Sequence, residues 1–175
     1  MRWLPFQLNP DIPAGGMSRQ DYIVRKFGPG GRNKYDRVAA VGREVGIGFE
    51  FDKIQVQPNT VNAHRLIHHA GELQRQDEVA EALFHAYFVA GENIADLNTL
   101  ADIGARAGLD RAELASYLAS DADEELVQSA DSEARNAGVQ GVPFFIFNRR
   151  IGVSGAQEAE TLLQAMLQAI GEDDA

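Results

Sequence analysis

The chain has 175 residues, a formal net charge of −10 and no cysteine. The missing thiol excludes disulfides, thiolate metal sites and a cysteine nucleophile within these residues. The acidic balance argues against a nucleic-acid backbone as partner, because such binding needs clustered Lys and Arg. The small basic groups, Arg25-Lys26 with Arg32 and Lys34, and Arg149-Arg150, read as solvated surface charge. No apolar run approaches the ~20 residues of a membrane span, and Met1 to Pro5 lacks the features of a signal peptide. These observations predict a soluble, cytoplasmic protein.

Trp3 to Leu8 is short and apolar and reads as a strand, with Pro5 confining it to an edge or to one unpaired amide. Asn9 to Gly16 is a loop by its Pro and Gly content. Ser18 with Asp21 opens a short helix carrying Tyr22, Ile23 and Phe27, and Gly28 to Gly31 ends it. A second helix is predicted from about Lys34 to Val45, with Val38, Val41 and Val45 on one stripe and Gly46 as its cap. Phe49 to Ile54 is a short strand or an extended connector.

From Asn59 to Ala137 the pattern is helical. Ala63, Leu66, Ile67, Ala70 and Leu73 make one stripe. Val79, Leu83 and Tyr87 with Ala80, Phe84 and Phe88 make a wider one, as a buried helix requires. Asp96 with Thr99, and Asp110 with Glu113, are N-cap signals; Gly108 and Gly138 suit C-terminal caps. The period then changes. Val142 to Phe147 is a continuous apolar run, the pattern of a strand covered on both faces. Asn148-Arg149-Arg150 is a hairpin turn and Ile151 to Val153 the return strand. The last helix carries Leu162, Leu163, Met166, Leu167 and Ile170, and Glu172-Asp173-Asp174 is an acidic tail.

Five segments, in order, carry a resemblance. Arg2-Trp3-Leu4-Pro5-Phe6-Gln7-Leu8-Asn9-Pro10 resembles the second strand and following loop of the FrnE-like branch of the DsbA family. Pro58-Asn59-Thr60-Val61-Asn62-Ala63-His64-Arg65-Leu66 resembles that branch's helix opening. Ala82-Leu83-Phe84-His85-Ala86-Tyr87-Phe88, Gly138-Val139-Gln140-Gly141-Val142-Pro143-Phe144-Phe145 and Val153-Ser154-Gly155-Ala156-Gln157 are similar too. The resemblance implies an α/β, thioredoxin-like (DsbA-type) three-layer fold with an inserted all-helical domain. Residues 1–58 would form the N-terminal part of the thioredoxin-like domain, 59–137 the helical insertion, and 138–175 the C-terminal β-β-α part.

The same resemblance implies a thiol–disulfide oxidoreductase or isomerase. In the family the nucleophile sits between the first strand and first helix, and both elements lie ahead of the part this chain resembles. The first strand-helix unit and the Cys-x-x-Cys segment are therefore expected to be missing, with Met1 read as a start inside a longer frame, or the chain as a non-catalytic relative. Deleting an inner strand would leave unpaired amides at about 1–3 kcal/mol each. The gap is accordingly expected to close, by the Trp3 segment pairing with the Phe144 strand or by a second copy forming a homodimer through the sheet edge.

No catalytic residue is assigned. Pro143 alone suggests a trans proline at a strand start, whereas the resemblance implies a cis proline facing the reactive thiols. Val142 could then offer its backbone N–H and C=O to a thiol- or disulfide-bearing peptide, or to a glutathione-like substrate, in the manner of strand addition. Val142 and Pro143 are the candidate substrate-binding residues. Cofactors are expected to be none; glutathione enters only under an alternative, the related 2-hydroxychromene-2-carboxylate isomerases and kappa-class glutathione transferases. A peptide- or partner-binding module is the non-enzyme alternative. His64, His68 and Glu72 share a helical spacing that metal sites use, but hydrogen-bonded histidines without a metal are the stronger expectation. Ser154 reads as an N-cap and Gly155 as room for the turn. Gly28 to Gly31 lacks the Lys and Ser/Thr of a phosphate loop.

Overall fold

The computed structural model describes residues 1–29, 31 and 35–171. Gly30, Arg32, Lys34 and the acidic end Glu172-Asp173-Asp174, all named above, lie outside them.

Five helices dominate: α3 (Val61–Glu72), α4 (Gln76–His85), α5 (Leu97–Arg106), α6 (Arg111–Ala119) and α7 (Glu124–Asn136). Short polar side chains set the starts of α3, α5 and α6, because the first N–H groups of a helix have no internal partner. Asp96 accepts from Thr99 N and Asp110 from Glu113 N, each at 2.8 Å. Asn59 accepts from Val61 N at 2.9 Å and donates to the Ile12 carbonyl at 2.7 Å, tying the N-terminal loop to the head of α3. A π-helical turn, Ala86–Ala90, extends α4 and ends at Gly91, whose φ is +74°.

The stripes meet in one core. Leu66, Leu100, Ile103, Leu114, Leu118, Val79 and Val127 are fully buried, each worth about 1.5–3 kcal/mol over exposure. Gly104 lets α5 and α6 close together: a Cβ there would lie 2.3 Å from Leu114 Cδ1. Arg65 is buried among these residues. Its guanidinium donates to the carbonyls of Tyr117, Leu118, Ser120 and Ala122 and to Asn62 Oδ1. It thereby satisfies the end of α6 and the corner beyond it.

Ahead of this block, β1 (Met17–Ser18) pairs antiparallel with β2 (Val56–Gln57). Helix α1 (Arg19–Phe27) follows Ser18, which caps it by accepting from Asp21 N. Helix α2 spans Asp36–Glu44. Phe51–Lys53 is a 3₁₀ turn, so the Phe49 to Ile54 segment is a connector. The valine stripe of α2 is exposed, and the residue buried is Gly42, against Phe49.

Trp3 to Leu8 is not a strand. Its polar groups are instead satisfied by side chains of the helical block. Trp3 N donates to Gln76 Oε1 at 2.9 Å, Trp3 Nε1 to Asp77 Oδ1 at 2.6 Å, and Gln7 N to Asp131 Oδ1 at 2.6 Å; Arg135 donates to the Gln7 carbonyl. Phe6 is buried beneath the Arg135 guanidinium, 4.5 Å from its ring centroid. A segment so served needs no ladder partner, and it forms none with the Phe144 strand.

After α7 the chain forms the hairpin β3 (Phe144–Phe147) and β4 (Ile151–Ser154), in register Phe144↔Ser154 to Phe147↔Ile151. Helix α8 (Ala159–Gly171) packs against it, with Asn148 Nδ2 donating to the Ala169 carbonyl at 3.1 Å. The hairpin is not covered on both faces: Val142 is 50% and Ile146 52% exposed. On α8, Leu163, Met166, Leu167 and Ile170 are exposed as well. Among the described residues no helix is long and apolar enough to cross a membrane.

Candidate functional site

Val142 and Pro143 stand at the head of β3, where the chain leaves the helical block and enters the hairpin. The peptide bond between them is cis. The Pro143 carbonyl accepts from Gly155 N at 2.8 Å, so the proline is fixed to the turn that follows β4. Gly155 has a φ of +81°, a conformation that costs a side-chain-bearing residue about 1–2 kcal/mol. Gln157 Nε2 donates back to the Ser154 carbonyl at 2.9 Å. Ser154 is thus the last residue of β4 and not a helix cap: α8 begins only at Ala159, five residues on. Val142 itself makes no backbone–backbone hydrogen bond among the described residues. Its N–H and C=O are free to pair with an extended chain laid beside them.

The histidines do not converge. His64 is turned into the protein, hydrogen-bonded to the Phe6 carbonyl, and burial lowers its pKa. His68 lines a shallow surface cleft with Arg2 and Glu72. His69 stacks on Tyr117, ring centroids 4.5 Å apart, and sits 3.7 Å from Glu72. Among the described residues no three His, Cys, Asp or Glu side chains are grouped to hold a metal ion. Two other features carry no signal in hydrophobic periodicity. One is the Asp131–Arg135 pair on α7 that grips the backbone of Gln7. The other is Arg19, buried at the start of α1; the only hint is Tyr22 one turn further on, over whose ring its guanidinium lies.

With this geometry in view, a family model and a solved structure point to one class. The model of the DSBA-like thioredoxin domain matches residues 1–167, and the chain belongs to that family. Its fold is the thioredoxin-like fold of DsbA proteins. The chain is similar to the crystal structure of a probable DsbA oxidoreductase, SCO1869 from Streptomyces coelicolor. The TM-score is 0.84 at 30% sequence identity, over 95% of this chain and 74% of that one. It is also 24% identical over 172 residues to the uncharacterized protein YwbO of Bacillus subtilis (strain 168), which covers 95% of this chain and 80% of that protein.

Proposed function

We propose that the chain serves thiol–disulfide exchange of the FrnE-like DsbA type, as the part that aligns a substrate for a sulfur it does not itself carry. The observation that supports this best is the unbonded backbone of Val142 at the head of β3, in a DsbA-family chain that contains no cysteine. An extended peptide placed along Val142 and Pro143 would gain main-chain hydrogen bonds from Val142 while the Gly155–Pro143 bond keeps the edge in shape. In the exchange step a thiolate attacks one sulfur of a disulfide. A mixed disulfide forms and the other sulfur leaves as thiolate. The attacking sulfur is then supplied from outside these 175 residues.

The test has two arms. An isotope-labelled sample titrated with a short disulfide-bearing peptide is expected to shift the amides of Gly141 to Phe145, and the chain alone is expected to leave insulin unreduced. Binding elsewhere, or none, overturns the reading. Sedimentation equilibrium addresses the rival occupant of the same edge. A stable dimer with protected Val142 and Phe144 amides would assign that edge to a second copy and overturn the peptide reading.

A further inference from the structure

Arg19 presents a chemical question that the sulfur chemistry leaves untouched. It is only 8% exposed, yet among the described residues no carboxylate lies within ion-pair distance of it. Its charge is held by rings. The guanidinium carbon lies 4.6 Å from the Tyr35 ring centroid and 5.6 Å from that of Tyr22. A single side-chain hydrogen bond leaves it, from Nη1 to Gln57 Oε1, which also faces the Tyr87 hydroxyl at 3.5 Å. A guanidinium has five N–H donors. Among the described residues the remaining donors of Arg19 have no partner, and none is among the buried unsatisfied atoms, so they reach accessible space.

That space is a cavity of about 350 Å³ which Arg19 itself lines, at the small end of ligand pockets. Its apolar wall includes Ile23, Phe49 and Phe51, and the Phe49 and Phe51 rings stack at 5.1 Å. Among the described residues its exposed rim carries Asp36, Glu50 and Asp52 against Arg43, with Glu50 also 3.8 Å from Lys53 Nζ, which leaves the rim acidic on balance. A buried, uncompensated guanidinium favours an anion with two oxygens in one plane. The aromatic wall favours an apolar body, and the acidic rim disfavours any ligand with a second negative charge. Together these conditions select a carboxylate over a phosphate.

We propose that this cavity is a binding site for a small monocarboxylate with a flat or aliphatic apolar body, its carboxylate on Arg19 and its body against Phe49 and Phe51. The site uses none of the residues assigned to the Val142 edge, so either proposal stands or falls without the other.

The test uses the full chain, isotope-labelled, with phenylacetate as the probe. Saturable shifts are expected at the amides of Ser18 to Ile23 and Phe49 to Gln55. Phenylacetamide has the same shape without the charge and is expected to bind at least about tenfold more weakly. Inorganic phosphate is expected to bind more weakly than phenylacetate. Arg19→Lys, with its fold checked by far-UV circular dichroism, should lose about tenfold in affinity, because a point charge replaces the planar fork. Equal binding of the amide, equal binding of phosphate, or no saturable shift at these residues overturns the proposal. If Arg19→Lys does not fold, the contrast between phenylacetate and its amide in the unaltered chain decides.

Discussion

His64 shows how one side chain makes the fold sensitive to acid. Burial lowers its pKa below the ordinary 6.5, while the bond to the Phe6 carbonyl and the nearby Asp131 carboxylate only partly oppose that shift. In the unfolded chain the imidazole regains its ordinary value and takes up a proton where the folded chain does not. Stability is therefore full above pH about 6.5 and is lost as pH falls toward and through the lower, folded value. The melting temperature is expected to be lower at about pH 5.5 than at about pH 7.5, and less so in His64→Gln. An identical pH dependence in the two proteins would show that the proton is taken up elsewhere. A second residue-scale effect sits in the β3–β4 turn. Asn148 and Arg149 have φ of 50° and 58°; Asn tolerates this region and Arg does not. Arg149→Gly is expected to raise stability by about 0.5–1 kcal/mol in urea unfolding.

At the scale of elements, α3 and α6 share the apolar core and are joined as well by the Arg65 fork. Lysine keeps the charge but has three donors on one atom, so Arg65→Lys leaves at least two of the five acceptors without their bond to this side chain. The expected loss is about 3 kcal/mol, at roughly 1–3 kcal/mol for each unsatisfied buried group, read from the shift in the denaturation midpoint. A loss under about 0.5 kcal/mol would mean that water serves these carbonyls as well. Helix α2 makes a contrasting point. The spacing of Val38, Val41 and Val45 was enough to identify a helix, yet this face is exposed and the helix seats itself through Gly42 beneath Phe49. Periodicity reports that one face differs from the rest; it does not report which face finds a partner.

Across the whole molecule, packing is uneven. The buried side chains concentrate in α3 to α7, while Val142, Ile146 and four large apolar residues of α8 are exposed. Amide exchange is expected to be slowest in α3, α5 and α6 and much faster in β3, β4 and α8; uniform protection would contradict this. The same division explains what the sequence disclosed. Helix starts at Asp96 and Asp110 and the turn at Gly155 depend on neighbours within a few residues, so they were legible. The ordered motifs carried the family and marked Val142 and Pro143. The fate of Trp3 to Leu8 was not legible, because an apolar alternating segment reads as a strand whether or not another strand lies beside it, and Gln76, Asp77 and Asp131 are far away in sequence. Arg19 was equally hidden: its surroundings come from segments that end at Tyr35, Phe51 and Gln57.

The acceptors that surround Arg65 also imply an order of assembly. Apart from Asn62, they belong to residues 52 to 57 positions further along the chain. While the polypeptide is being made, α3 leaves the ribosome with a cation that only Asn62 and water can satisfy, and stays so until α6 and the corner after it have been synthesised. The first helices cannot finish burying that surface on their own. Full burial of Arg65 therefore waits for Tyr117 to Ala122.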